Sequence, residues 1–485
     1  MTFGDLSGLM PMLLPAVGGM FLLVMVALGL DRDIRWPAIY SLLFLILSGS
    51  QAASLMARGY REELFDGAIL VDPRALGFHL IFVIVAALTT LSSPGQLRAE
   101  GVGYGEYFAL LLFSVTGMSM MASTESLLTL FLGLEILSIS LYVLAGFTRD
   151  RVNAIEGALK YFLLGAFSTG FLLYGIALFY GATGRIDLPG IASHLAAARG
   201  GSPDPMLLVA SGLVLIGLAF KVAAVPFHFW APDVYQGSMA PVAGFMAAGT
   251  KAAAFAALLR VLETALHGDP TGLRSGAVLH GLALLTMVTG NVLALAQQNI
   301  KRLLAYSSIA NAGYLLVAAI SGGPGGRGSS IVLFYLAAYA FMTIGAFSVA
   351  ALVGRAGEED QGYSLSAYAG LSRRKPWLAA AMALFMLSLT GIPPTGGFMG
   401  KFYVFKAAVD TGQFDLAIVG LLSSVIGAFY YLRIVVQMYV REPVPGTGTA
   451  QPGPAEALGI AVAAAATLWI GLFPGGLLAL VHGLA

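Results

Sequence analysis

The 485-residue chain is 58% hydrophobic and only 11% charged, where an ordinary soluble protein carries roughly a quarter charged residues. A mean hydropathy of +0.84 over 50.5 kDa cannot be hidden in one water-soluble core, so a soluble enzyme is excluded and lipid is the solvent for most of the chain. The formal net charge of +1 gives no footing for nucleic acid, and the absence of cysteine removes disulfides, thiolate-held iron–sulfur clusters and cysteine zinc sites.

A hydrocarbon core about 30 Å thick takes roughly 20 apolar residues per helix. Fourteen candidate spans follow in chain order, at 9–30, 36–56, 75–93, 106–123, 125–146, 154–180, 206–230, 240–266, 276–297, 303–320, 330–354, 376–409, 414–440 and 456–480. The first has Asp5 as the only charge before it and reads as a retained helix, not a cleaved signal peptide. The fourth and fifth are separated only by a tight break at Ala122, Ser123 and Thr124. Connections are short and rich in turn residues, as in Ser321 to Arg327 and Pro443 to Pro454. The expectation is an all-α polytopic membrane protein.

An even number of spans puts both termini on one side, and the basic census says which. With the termini outside, the cytoplasmic loops hold Arg32, Arg35, Arg98, Arg149, Arg151, Lys301, Arg302, Arg355, Arg373, Arg374, Lys375 and Arg441. The outer loops then hold Arg58, Arg61, Arg74, Arg185, Arg199, Arg274 and Arg327. Twelve against seven favours the termini outside.

Seven basic residues remain inside the spans: Lys160, Lys221, Lys251, Arg260, Lys401, Lys406 and Arg433. Five of the chain's seven lysines are among them, although a lysine at mid-bilayer costs about 2.5–3.5 kcal/mol. Lys221 lies in LVLIGLAFKVAAV and Lys251 in AAGTKAAAF, Lys401 follows GGFMG, and Glu135 stands alone in FLGLEIL. These four have no partner nearby in sequence and read as functional. Lys160 has Glu156 one turn before it and lies about 10 Å into its helix, so local pairing competes with function. Lys406 and Arg433 read as snorkelling cations, Arg260 as a partner of Glu263, and His79, His194, His267, His280 and His482 as interfacial or lone.

Two helices are broken beside these lysines. Pro226 cannot donate to the carbonyl of Val222, one residue from Lys221, and Pro393 and Pro394 release the carbonyls of Leu389 and Thr390 ahead of Lys401. Irregular backbone at membrane depth survives only where protein or water satisfies it, so each break predicts a small hydrated cavity beside a lysine. The interrupted helices are seventh and twelfth, which makes helices four to eight and nine to thirteen corresponding halves. An odd number of helices per half inserts the second upside down. The expected divisions are an N-terminal segment 1–105, repeats 106–266 and 276–441, and a C-terminal helix 456–485.

At these residues the sequence resembles a known family, the antiporter-like proton-translocating subunits of respiratory complex I and their relatives in cation/proton antiporters and membrane-bound hydrogenases. The run FKVAAVPFHFWAPDVYQG from Phe220 to Gly237 resembles the family's broken seventh helix, and NIKRLLAYSS from Asn299 to Ser308 resembles a second signature. The resemblance covers nearly the whole chain and implies about fourteen helices in two inverted five-helix units. It implies that Glu135 and Lys221 interact, that Lys160 and Lys251 relay protons with His228 as a further relay, and that Lys401 is the terminal carrier. Within the family, the Lys160, Lys251 and Lys401 contexts resemble the branch that has lysine at the twelfth-helix break and no long lateral helix. One departure is Asn311, where relatives often carry histidine; asparagine cannot take up a proton at physiological pH.

A carboxylate within about 4–6 Å of a buried lysine favours its charged form, by roughly 3–4 kcal/mol at an effective dielectric near 20. Moving Glu135 relative to Lys221 would therefore switch that lysine between holding and releasing a proton. The chain has no visible nucleotide loop, metal cluster or flavin site, so the driving force comes from partners. The resemblance implies that NADH, FMN, iron–sulfur clusters and quinone sit on other subunits of a proton-translocating NADH:quinone oxidoreductase. It also implies another antiporter-like subunit, small membrane subunits and lipid as partners, in a bacterial inner membrane with both termini periplasmic. The alternative is a subunit of a cation/proton antiporter or membrane-bound hydrogenase complex.

Overall fold

A computed structural model describes residues 3–197, 204–266, 275–321, 327–355, 359–444 and 448–484. His267, Arg199, Arg274, the glycine-rich turn at 322–326 and part of the 443–454 stretch lie outside them. The chain is 81% helical. Its helices are α1 Phe3–Ala27, α2 Arg35–Ala57, α3 Pro73–Ala99, α4 Glu106–Ala122, α5 Leu127–Ala145, α6 Val152–Thr183, α7 Leu188–Ala197, α8 Pro205–Lys221, α9 Trp230–Gly237, α10 Ala240–Phe245 and α11 Lys251–Arg260. They continue with α12 Ser275–Leu295, α13 Ile300–Ser321, α14 Arg327–Gly354, α15 Leu371–Arg374, α16 Pro376–Thr390, α17 Gly396–Asp410, α18 Phe414–Tyr439, α19 Pro454–Leu472 and α20 Pro474–His482.

Among the described residues, eleven helices are long and apolar enough to cross a membrane, and α4, α8 and α16 are shorter apolar helices. The spans expected at 206–230 and 376–409 are not continuous. Their first halves, α8 and α16, end at Lys221 and Thr390, and helix resumes at Trp230 and Gly396. The last expected span divides at Phe473 because Pro474 cannot donate to Ile470. An antiparallel hairpin, β1 Glu62–Leu64 and β2 Ile69–Val71, was not expected, since three-residue strands carry too little pattern to read.

At the centre, a column runs from Ala240 to Ala265 through α10, a π turn Met246–Thr250, α11 and a second π turn Val261–Ala265. It is enclosed by α3, α4, α8 and α14. A helix apolar on every side must be buried, and its many alanines let the neighbours close in. The large apolar residues left outside, such as Phe162 and Phe167 of α6 and Val425 and Phe429 of α18, face lipid.

Two expectations about charged residues change here. Arg260 holds Asp72 at 2.8 and 3.1 Å and the Ala122 carbonyl at 3.2 Å, while Glu263 pairs with Arg74 and accepts from Ser329 at 2.5 Å. The π turn begins between Arg260 and Glu263 and alters the angular step that would have brought them onto one face. Burial works against the Asp72 carboxylate, yet Arg260 and the Ala75 amide outweigh it and hold its pKa below the ordinary value. His79 is not lone: its ring nitrogens lie 2.7 Å from Ser48 and 2.7 Å from Ser119, and Ser48 donates to the Pro11 carbonyl at 2.7 Å. Pro15 leaves that carbonyl without its helical donor.

Candidate functional site

Lys401 is built by the second helix break. Gly391 ends α16 in the left-handed conformation, φ +90°, and Pro393 and Pro394 prevent the helix from resuming before Gly396. The chain then turns back so closely that a Cβ on Gly397 would stand 1.9 Å from the Ser388 carbonyl; only glycine permits this crossing. It carries Lys401 over the end of α16, where Nζ donates to the carbonyls of Leu389 at 2.9 Å and Thr390 at 3.0 Å and to Ser424 Oγ at 2.9 Å. The Tyr314 ring lies 5.0 Å away. The two carbonyls freed by the prolines are thus taken by the lysine itself. A cavity of about 430 Å³ adjoins Lys401, with walls largely of Phe398, Phe402, Phe405 and Leu421.

Lys221 is the last residue of α8. Beyond it, Ala223 adopts φ +58°, the Val225 amide donates to Thr286 Oγ1 at 2.9 Å and Trp230 Nε1 donates to the Phe220 carbonyl at 3.2 Å, which pins the broken segment. Lys221 Nζ donates to Ser138 Oγ at 2.7 Å and lies 5.8 and 5.2 Å from the Tyr142 and Tyr161 rings. Among the described residues its hydrogen-bond partner is Ser138, and no ion pair joins it to Glu135. Ser138 follows Glu135 by about one turn on α5. Glu135 Oε1 has no hydrogen-bond partner. The cavity at this break, about 210 Å³, is lined by Phe167, Phe171, Phe220, Pro226, Phe229 and Trp230 among others, and Lys221 is not part of its wall. His228 is buried against Phe229, with Nδ1 unpartnered.

Lys251 opens α11 directly after the first π turn and donates to the Ser308 carbonyl of α13. From there a chain of neutral groups leads toward Lys401. Ser307 bonds Tyr431, Asn311 donates to the Ser307 carbonyl at 2.8 Å, and Tyr335 donates to Asn311. Tyr430 donates to Asn291 Oδ1 at 3.0 Å, and Asn291 donates to Tyr314 OH at 3.1 Å. Ser307, Asn311 and Tyr314 follow one another at helical spacing on one face of α13. That stripe was visible in the sequence, but its partners come from α12, α14 and α18 and were not.

Lys221, Lys251 and Lys401 are 3%, 3% and 6% exposed. Lys160 is different, with its side chain 42% exposed and paired with Glu156 at 2.7 Å and Asp233 at 2.8 Å. Asp233 in turn holds Arg302 at 2.5 Å. Lys406 pairs with Asp410 at 2.6 Å on an exposed face, and Arg433 donates to the Leu295 carbonyl at 3.2 Å and the Gln297 carbonyl at 2.5 Å. Lys301, which the sequence placed in a loop, is 3% exposed. It donates to the Ser238 carbonyl at 2.9 Å and lies 4.0 Å from the Tyr363 ring.

The transmembrane family of NADH:quinone oxidoreductases and Mrp antiporters matches residues 124–427. The NADH-quinone oxidoreductase subunit N of Trichlorobacter lovleyi is 45% identical over 471 residues, covering 97% of this chain and 95% of the relative. A chain of Thermus thermophilus respiratory complex I, solved with bound aureothin, superposes with a TM-score of 0.81 at 37% identity over 97% of this chain and 98% of that one. A chain of the Mrp complex from Dietzia sp. DQ12-45-1b gives 0.86 at 23% identity, covering 99% and 97%, which shows a shared fold. The fold is thus common to both groups, while close identity over full length lies with one: the chain belongs to the NADH:quinone oxidoreductase/Mrp antiporter membrane family, in its NADH-quinone oxidoreductase subunit N branch.

Proposed function

We infer that this chain is a proton-translocating membrane subunit of NADH-quinone oxidoreductase, respiratory complex I, and that it works among other membrane subunits which supply the energy of quinone reduction. One observation carries the reading: Lys221, Lys251 and Lys401 are buried and held by neutral oxygens. A lysine kept by an ion pair stays charged, whereas one kept by hydroxyls and carbonyls can change its proton when a nearby charge moves. Glu135, with an unpartnered oxygen one turn from Ser138, is the charge that would move.

In this reading protons pass from Lys221 through Lys251 to Lys401. The hydroxyl and amide groups around Asn311 carry the interval where relatives use histidine, Lys160 steadies the entrance together with Asp233, and His228 is a side relay. Fourteen crossings are reached if each broken pair counts as one span and α4 and the composite α19–α20 count as one each. Two inverted units, 106–266 and 276–441, lie between the segments 1–105 and 456–485. The membrane is the bacterial inner membrane, with both termini periplasmic, and the redox groups sit on partner subunits. Moving one charge against about 100 mV takes about 2.3 kcal/mol, which the partners must deliver.

The test is Lys221→Ala in the assembled complex. Quinone-coupled pumping into sealed vesicles should fall at least tenfold while NADH oxidation by an artificial acceptor continues. Unchanged pumping would remove Lys221 from the path.

A further inference from the structure

A cleft of about 640 Å³ opens between α2, α3 and the start of α19, lined by none of the three buried lysines. Its mouth is basic: Arg35 begins α2, Arg98 lies in the last turn of α3 and Arg355 follows α14. Its inner wall is apolar, with Ile39 and Leu42 on one side and Leu91 on the other. From Arg35 to Leu42 the wall descends about 10 Å at the helical rise, so a charged mouth gives way to a hydrocarbon-lined interior over the depth at which a lipid headgroup gives way to its chains.

Two of the three cations are already paired, which leaves Arg98. Glu456 holds Arg355 at 2.9 Å and is fixed by the Gly453 amide at 2.8 Å, and Asp33 holds Arg35 at 3.1 Å. Arg98 has no ion pair among the described residues. The buried Arg355–Glu456 pair fits only because residue 95 is glycine; a Cβ there would stand 2.1 Å from both side chains. Deeper in, Thr90 Oγ1 is fully buried and without a hydrogen-bond partner.

We propose that this cleft binds an anionic phospholipid, its phosphate held by Arg98 with Arg35 and Arg355 beside it and an acyl chain lying along Ile39, Leu42 and Leu91. A phosphate group meets a cationic mouth, as basic pockets between membrane helices do, and the apolar interior gives a free phosphate nothing to bind. The test uses the complete complex, purified in mild detergent, stripped of lipid, and offered dioleoyl phosphatidylglycerol, dioleoyl phosphatidylcholine or inorganic phosphate, with retained molecules counted by native mass spectrometry. The wild-type complex should retain one more phosphatidylglycerol than an Arg35→Gln/Arg98→Gln complex. Affinity for that molecule should fall about fivefold for each arginine removed. Leu42→Trp, which fills the interior and keeps every charge, should displace the same molecule. Equal phosphatidylglycerol counts in wild-type and Gln complexes would overturn the proposal, as would equal retention of phosphatidylcholine. Competition by inorganic phosphate at matched concentration would make the site one for free phosphate and sink the lipid assignment.

Discussion

The two helix breaks place their lysines on opposite sides of the proline, yet they solve the same problem. Lys221 precedes its break and Lys401 follows one, but both are tied to the C-terminal end of a half-helix: Lys221 is the last residue of α8, and the Lys401 ammonium sits on the last carbonyls of α16. The last carbonyls of a helix lack partners and carry its negative dipole end, so this is where backbone alone can hold a cation in an apolar interior. The two sites differ in what completes them. Lys401 takes two carbonyls and a hydroxyl, whereas Lys221 takes one hydroxyl and two aromatic faces. The first site is closed by backbone, and the second has no backbone acceptor.

The largest expected effect separates them by stability. Lys401→Met strands the Leu389 carbonyl, at about 1–3 kcal/mol, while the Thr390 carbonyl keeps Ser424 Oγ at 3.2 Å; Lys221→Met strands a serine that can still bond its own helix at Leu134. The subunit carrying Lys401→Met should unfold in detergent–denaturant titrations with a loss of about 1–3 kcal/mol, against less than about 1 kcal/mol for Lys221→Met. Equal losses would show that Lys401 does not hold the end of α16.

Next comes Ser138. A hydrogen bond to a charged group is worth about 1.5–3 kcal/mol, so Ser138→Ala should lower pumping about tenfold, and Ser138→Thr, which keeps the hydroxyl, should restore most of it. Normal pumping in the alanine complex would return the direct role to Glu135.

A smaller, severalfold loss is expected when Pro393 and Pro394 are both replaced by alanine. The new amides compete for the Leu389 and Thr390 carbonyls, although every charged residue is still present. Lys401→Arg tests the same site from the other side, because arginine can occupy the carbonyls but does not give up its proton. Full pumping by the arginine complex in sealed vesicles would exclude Lys401 as a carrier.

The smallest effect belongs to Lys160. Half-exposed ion pairs contribute at most about 1 kcal/mol, so Lys160→Met should change pumping less than twofold, and Asp233→Asn, which also releases Arg302, should do more. A loss at Lys160 as large as that at Lys221 would make it a carrier despite its exposure.

The burial of Lys221, Lys251 and Lys401 was legible because apolar residues flank each of them on both sides. At Lys160 the Glu156 pairing was legible, but a sequence window shows depth along a helix and neither which face turns outward nor the approach of Asp233. Lys301 misled: beside Arg302 at the start of a helix it reads as a loop cation, and only the approach of Ser238 and Tyr363 encloses it. Ser138 was passed over because a serine in an apolar helix ordinarily bonds its own backbone. The breaks at Pro226 and Pro393–Pro394 were evident from proline chemistry, but what fills them depends on the tertiary crossing at Gly397.

The hydrogen bonds that join α1, α2, α3 and α4 carry an arithmetic of their own. Ser48 gives its one hydroxyl hydrogen to the Pro11 carbonyl, and Ser119 can give its own to the Val115 carbonyl at 2.7 Å. Both hydroxyls then have only lone pairs to offer His79, which lies between them. A neutral imidazole has a single N–H, so it can serve one of the two serines and not both. With the ring neutral, one serine must turn toward it and leave the backbone oxygen it serves. Four contacts share three hydrogens, and the tautomer of a single ring decides whether the gap opens at the Pro11 carbonyl in α1, which Pro15 cannot serve, or at the Val115 carbonyl in α4, which keeps the amide of its own helix.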